Sequence, residues 1–300
     1  MAAGDAGVGD LTGDDPTLGF DAGFYRGAYA DLSSFPDNVL LEHFILHGID
    51  EGRQACREST REGFASLLPT GRPILEIGPF ANPFLRGPDV RYADALTTEQ
   101  LRARATKLGL NPDGCPPISY PTFDLRTIRD RFHAVLSCHC IEHQPDLVRH
   151  LQAVEGLLEP GGSYFLIIPD KRFCFDYFLP ESTIADVMTA YARQSRVHEL
   201  GKVIEHWSMI THNDSFRHWN GDHGALPITE SRDGVRRAIA AYEARPDGYI
   251  DVHAWQFTPR SFRMLVRIIA ELGLSRLRLT AIHPTVRPRN EFCAVLSLPA

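Results

Sequence analysis

Residues 75–83 read LEIGPFANP. With Ile74 in front, Leu75 and Ile77 form a short apolar run that stops at a glycine and a proline. That is the pattern of a strand buried on both faces of a parallel sheet. Gly78 follows the run directly, where backbone has to approach a ligand closely and a Cβ would obstruct it. Glu76 is an acid inside the run. Burying it is costly without a partner, and the ammonium end of a zwitterionic ligand is one candidate. In open α/β sheets ligands sit beyond the carboxyl ends of strands, near the point where strand order reverses.

Outward from this turn, strands and helices alternate. Residues 90–96 (VRYADAL) predict a second strand. Residues 97–110 predict a helix capped by Thr97 or Thr98 with Gln100 close behind. Residues 132–138 (FHAVLSC) and 163–170 (SYFLIIPD) read as further strands, separated by an amphipathic helix over 145–162 that stops at Pro160-Gly161-Gly162. The pattern lapses between Lys171 and Val252. It resumes with a helix over 258–274, capped by Thr258 with Pro259 in its first turn. Two strands follow, RLRLTAIHP and NEFCAVLSL, as an antiparallel edge. Alternation of this kind predicts a parallel sheet covered on both faces. Before it, residues 20–53 space Phe24, Tyr25 and Tyr29, then Leu40, Leu41, Phe44, Ile45 and Leu46, as two short amphipathic helices broken at Pro36.

The chain has 300 residues, 43% of them apolar and 23% charged, which suits a globular protein with a substantial core. A formal net charge of −7 argues against a nucleic-acid partner, which normally needs a basic excess. No apolar run reaches about 18 residues, so no membrane span is expected. Residues 1–18, rich in Gly, Ala and Asp, read as a disordered tail without the basic and apolar regions of a secretory signal. The six cysteines (Cys56, Cys115, Cys138, Cys140, Cys174 and Cys293) form no CxxC pair, which fits a reducing cytoplasm.

The LEIGPFANP run resembles motif I of the class I S-adenosylmethionine-dependent methyltransferases, E/D-x-G-x-G-x, with Phe80 where the second glycine is usual and Asn82 placed to supply a polar contact. The missing glycines argue against a nicotinamide-dependent oxidoreductase. The resemblance implies a Rossmann-like seven-stranded sheet with helices on both faces and S-adenosylmethionine as cofactor. It implies further that Glu76, Gly78, Phe80 and Asn82 line the cofactor site, and that Asp94, sixteen residues after Gly78, binds the ribose. Asp124 and Leu125, in the run Phe123-Asp124-Leu125, would meet the adenine. SCHCIEHQPDL (137–147) resembles the segment after the fourth strand in relatives acting on small molecules. This places His139 near the methionine part of the cofactor and His143 as general base. Asp170, at the end of the PGGSYFLIIPD strand, would orient it. Residues 20–53 resemble a helical module found beside glycosyltransferases and methyltransferases of bacterial polysaccharide clusters, carried by "FD..FY...Y.DL...HF..HG..EGR", which points to sugar metabolism.

Methyl transfer is an in-line displacement on a sulfonium carbon, so the protein has to align the acceptor and free its lone pair. Histidine is suited to take that proton near neutral pH. Residues 206–224, HWSMITHNDSFRHWNGDHG, hold four of the chain's thirteen histidines, two aspartates and two tryptophans. Three readings compete here. One is a metal site built from His212, Asp214, His218, Asp222 or His223, although no familiar zinc spacing such as HExxH is present. Another is a polar substrate lid, with Trp207 or Trp219 stacking on a sugar and Asp214, Asp222 and His223 contacting it. The third is a structural hydrogen-bond network. The lid is the reading adopted, without a metal. His212 and His218 are further catalytic candidates, and His253 and Trp255 are placed to join from the far side.

The expected organisation is therefore a tail (1–18), a helical segment (19–62), a methyltransferase core (63–170 and 253–300) and a lid insertion (171–252). The expected reaction is methylation of a hydroxyl or amine on a small polar acceptor, a sugar or amino-sugar. A non-sugar natural product is the rival acceptor, and a non-catalytic cofactor-binding module is the rival class.

Overall fold

The computed structural model describes residues 18–245 and 248–300. The expected tail over 1–18 lies outside them except for Leu18, which bridges to Ile282. The N-terminal segment holds more helix than the pattern predicts. Helix α1 (Ala22–Ala28) starts where the Asp21 carboxylate accepts from the Phe24 N–H at 2.9 Å, an ordinary N-cap. Helix α2 (Asp37–His43) begins after Pro36, as the break predicts. It continues through a π turn (Phe44–Gly48) into α3 (Ile49–Glu51), and the chain then leaves through left-handed Gly52. Tyr25, Leu32, Leu40, Phe44 and Ala55 close a small apolar core of their own. Helix α4 (Arg61–Ala65) then lies against the main sheet.

That sheet has seven strands: β1 (Ile74–Ile77), β2 (Val90–Asp94), β3 (Tyr120–Pro121), β4 (Phe132–Cys138), β5 (Leu158–Pro169), β6 (Arg278–His283) and β7 (Glu291–Ser297). Their spatial order is β3-β2-β1-β4-β5-β7-β6. β1 to β5 are parallel; β7 runs antiparallel to β5 and to β6. The Rossmann-like seven-stranded sheet expected from the sequence is thus present, with its order reversing between β1 and β4. The one strand with no signal in the sequence, β3, is two residues long, too short to show a period of two.

Alternation along the strands sorts side chains to two faces. Leu75, Ile77, Val135, Leu166 and Ile168 pack with α6 (Leu147–Leu157) and α11 (Pro259–Glu271). Ile74, Ala134, Leu136, Phe165 and Ile167 face the other way, onto Phe64 of α4 and Leu68. The N-terminal segment therefore supplies cover for one face of the sheet. Helix α5 (Thr98–Lys107) starts with a reciprocal capping box between Thr97 and Gln100, and α11 with one between Thr258 and Ser261 behind Pro259.

The eighty residues read as patternless are largely helical: α7 (Ile184–Arg193), α8 (Leu200–Met209), α9 (Ser215–Trp219) and α10 (Ile228–Ala244). Signals for them exist. Thr183 and Asp186 form a capping box, and Asp214 caps α9. Val203, Ala238 and Val252 bury a small interface between α8, α10 and the returning chain, with Trp207 packed on it. Among the described residues no helix is long and apolar enough to cross a membrane.

Candidate functional site

Two adjoining chambers open at the carboxyl ends of the central strands, each of about 330 Å³. They share His139, His143 and Asp251 as a common wall.

The first chamber sits over β1, β2 and β4. Ile77 and Gly78 come from the end of β1, Ala93 and Asp94 from the end of β2, and His139 and Cys140 from the turn after β4. Gly78 has φ +69°, a conformation that favours glycine, and a Cβ there would stand a tight 3.3 Å from the Cys140 sulfur. Among the described residues three others than glycine have positive φ: Phe80 (+42°), His139 (+49°) and Gln194 (+57°). Gln194 ends α7, a usual place for it. Phe80 and His139 instead flank the chamber, and backbone strain of this kind concentrates at ligand sites.

Asp94 lines the chamber, and its Oδ1 accepts from the Leu96 N–H at 3.0 Å. Burial pushes its carboxyl above the ordinary range. Arg104 lies over the Phe80 ring at 5.5 Å and reaches Asp251 at 3.2 Å. Tyr249 closes the chamber from above, and its hydroxyl donates toward Asp251 Oδ1 at 3.2 Å. Leu125, Phe123 and Arg196 complete the rim.

Several expected cofactor contacts are placed elsewhere. Glu76 is 1% exposed, and its carboxylate accepts from the Phe84 and Leu85 N–H groups at 2.6 and 2.9 Å. The buried acid has a backbone partner, holds the loop after Gly78 in shape, and does not reach the chamber. Burial pushes it up to about 7, against the pull of those two N–H groups. Asn82 is exposed and stands off the lining. Asp124 caps the next turn, pairs with Arg126 at 2.7 Å and faces a neighbouring cleft.

His139 is held from the far side. Its Nε2 meets Glu291 Oε2 at 2.7 Å, and Glu291 also accepts from Arg61 of α4 at 2.6 Å. Burial pushes Glu291 up, but the hydrogen bonds from Arg61 and His139 outweigh it and hold the carboxyl at about 2. The N-terminal segment is thereby coupled to the chamber wall.

The second chamber lies beyond that wall. It is lined by Glu142, Cys174, Phe175, His206, Asn213, His253 and Asn290. His143 Nδ1 lies 3.0 Å from Asp251 Oδ1, close enough for an ion pair but off the axis of a hydrogen bond. Burial lowers the His143 pKa. The neighbouring Asp251 and Glu142 carboxylates more than offset this, so the net shift is upward. His253 Nδ1 meets Asp176 Oδ2 at 2.6 Å, and the His253 backbone N–H donates to His206 Nδ1 at 3.3 Å.

The acid beside His143 is thus Asp251, and Asp170 is not in this position. Asp170 is fully buried and its carboxylate is saturated: it accepts from Arg172 at 2.7 Å and from the Thr285 hydroxyl at 2.7 Å, and it caps the turn after β5. Most of the histidine-rich segment also stands away from its expected role. None of His212, His218, Trp207, Asp214, Trp219, Asp222 and His223 lines either chamber. His223 stacks on Tyr177 at 3.7 Å, and His218 Nδ1 contacts His223 Nδ1 at 3.1 Å. Trp219 stacks on Phe173 at 3.7 Å and donates to the Arg289 carbonyl at 2.8 Å. A Cβ on Gly52 would come to 2.6 Å from the Trp219 ring, so this indole rests directly on the N-terminal segment. Asp214 caps α9, Asp222 pairs with Arg217 at 2.8 Å, and Trp207 packs between α8 and α10. His218, Trp219 and His223 form an outer clasp of stacked rings, while His206 and Asn213 of the same segment line the second chamber. Trp255 is buried, donating to the Gln144 carbonyl at 2.6 Å, and only His253 of that pair joins the site.

Sequence reasoning did not single out Glu142, Asp176, Tyr249 or Asp251, and it counted His206 only within the histidine-rich segment. One local signal was available for Glu142, an acid directly before His143 in the otherwise apolar Cys-Ile-Glu-His turn.

No family model and no curated protein matches the chain. Solved structures similar to it include the CurJ carbon methyltransferase (12% identity over 80% of this chain and 52% of that one, TM-score 0.39). The mitomycin 7-O-methyltransferase MmcR is 14% identical over 90% of this chain and 60% of that one, with TM-score 0.38. A SAM dependent methyltransferase from Aquifex aeolicus is 9% identical over 81% and 91%, with TM-score 0.39. The chain spans about half the length of the first of these. At these values the likenesses add nothing to what the strand order already establishes.

Proposed function

We propose that the protein transfers a methyl group from S-adenosylmethionine to a small polar acceptor. The observation that carries this reading is the pair of chambers with a common wall at the point where strand order reverses. The first chamber takes the cofactor: its ribose hydroxyls on Asp94, its adenine near Leu125 and Phe123, and its methionine part along Gly78 and His139. An acid at the end of the second strand is suited to ribose hydroxyls in doubly wound folds. The second chamber takes the acceptor. His143 stands in the wall between them and is assigned to activation of the acceptor, in place of the pairing with Asp170.

The reaction needs the acceptor lone pair in line with the methyl–sulfur bond. A wall shared by two chambers brings the reacting atoms together without a separate collision, the source of a large part of such rate gains. The lining of the second chamber (histidines, Asn213, Asn290 and carboxylates) offers donors and acceptors to a polyol, so a saccharide hydroxyl or amino-sugar is the acceptor class we favour. Phe175 supplies the apolar surface there, in place of Trp207 and Trp219. Calorimetry with S-adenosylhomocysteine, followed by methyl-transfer assays across sugars and amino-sugars, tests the reading. Absence of adenosyl-ligand binding would remove it.

A further inference from the structure

We infer that Glu142, His143 and His253 hold a first-row divalent metal ion at the floor of the second chamber. Glu142 is fully buried, and neither of its carboxylate oxygens has a hydrogen-bond partner. An isolated buried carboxylate is among the costliest groups a fold can carry, so the position calls for a cation. Two histidine nitrogens face it: His143 Nε2 at 3.7 Å and His253 Nε2 at 3.9 Å from Glu142 Oε1. The three donor atoms lie within 4.8 Å of one another, and the two rings stand at 89° to each other.

Donors each about 2.1 Å from a tetrahedral ion are about 3.4 Å apart. The two separations from Glu142 exceed that by a few tenths of an ångström, and all three donors lie within 4.8 Å, so side-chain rotations have to draw them onto one ion. The distal nitrogens strengthen the case. His253 Nδ1 sits on Asp176 at 2.6 Å and His143 Nδ1 lies 3.0 Å from Asp251, so each ring has a carboxylate behind it. The hydrogen bond from His253 to Asp176 is of the kind that fixes ring orientation and raises ligand basicity in metal sites. Two histidines and one carboxylate leave coordination positions open on the chamber side, the composition of catalytic rather than structural metal centres.

This deepens the proposed function and rests on it for the ion's role. The acceptor hydroxyl binds at an open position and gives its proton to solvent water. Its oxygen lone pair then forms the bond to the methyl carbon while the carbon–sulfur pair returns to sulfur, leaving S-adenosylhomocysteine. His143 thus acts as a ligand, and oxygen acceptors are preferred over amines.

The test is titration of the chelator-stripped full chain with Co²⁺, read by its visible absorption, alongside calorimetry with S-adenosylhomocysteine. One Co²⁺ should bind per chain. Glu142→Gln and His253→Ala should abolish it, Asp176→Asn should weaken it about 10–100-fold, and His223→Ala should leave it unchanged. Folding of each variant is checked by its melting curve, with the conservative Glu142→Gln as the decisive one. A stripped wild-type chain that binds no Co²⁺, or a folded Glu142→Gln variant that binds it as tightly as wild type, overturns the metal site. Cobalt binding without adenosyl-ligand binding keeps the metal site and overturns the methyltransferase reading; the reverse result does the opposite.

Discussion

The two chambers are built in different ways. The first is assembled from the ends of neighbouring parallel strands, so its shape comes from backbone: Gly78 at φ +69°, Phe80 at +42°, His139 at +49°, and Asp94 at the end of β2. The second is assembled from side chains that meet only in three dimensions. Glu142 and His143 follow β4, Phe175 and Asp176 follow β5, His206 lies on α8, and Asp251 and His253 lie on the returning chain. On the proposed reading, cofactor recognition belongs to the sheet, whereas acceptor recognition belongs to whatever the insertion brings over it. A change in the second chamber should therefore alter chemistry while leaving cofactor binding intact, and a change in the first should do the reverse.

The largest expected effect is His143→Ala. Turnover should fall by about 10²–10⁴, the usual worth of a positioned activating group, while S-adenosylhomocysteine affinity changes by no more than a few-fold. Equal losses in both would erase the division between the chambers.

Next is a pH effect on the sheet side. His150 is buried under the first chamber, its Nε2 2.9 Å from the Tyr164 hydroxyl, and burial lowers its pKa to about 4. The folded chain keeps this ring neutral, while the unfolded chain protonates it near 6.5. Its contribution is full above about pH 6.5 and is lost as pH falls toward 4, on the order of 3 kcal/mol in all. His150→Gln should flatten the fall by up to about 1.4 kcal/mol per pH unit, read from denaturant melts at several pH values. A slope unchanged by the substitution would contradict the buried neutral ring.

Asp94→Ala should weaken S-adenosylhomocysteine about tenfold to a hundredfold, the worth of hydrogen bonds to a charged group, with kcat less affected than KM for the cofactor. Unchanged affinity in calorimetry would take Asp94 out of the site. Smallest of all is Asp222→Ala. This carboxylate is exposed, pairs with Arg217 and accepts from the Gly224 N–H at 3.1 Å on the outer clasp, so the melting temperature should barely move and activity should not change. A large loss of activity would return Asp222 and the stacked rings beside it to the acceptor site.

What was legible in the sequence follows the same division. Gly78, Asp94 and His143 sit in short strand–turn units whose residues are adjacent in the chain, so their placement could be read locally. Caps at Thr97 and Thr258 were legible for the same reason. Glu76 was misread because a buried acid needs a partner but not a ligand, and two backbone N–H groups serve. Asp170 was misread in the same way, since its partners Arg172 and Thr285 saturate it. The histidine-rich stretch drew attention by density alone. Ring stacking with Tyr177 and Phe173 accounts for His223 and Trp219, and the second chamber for His206; stacking leaves no periodic mark. Glu142, Asp176, Asp251 and His253 span more than a hundred positions, and no local pattern joins them.

The most direct test of the account is calorimetric titration of the full chain with S-adenosylhomocysteine, run in parallel on wild type, Asp94→Ala and His143→Ala. One saturable site per chain is expected, weakened by the first substitution and nearly unchanged by the second. No binding to the folded wild-type chain would contradict it, whatever else the second chamber holds.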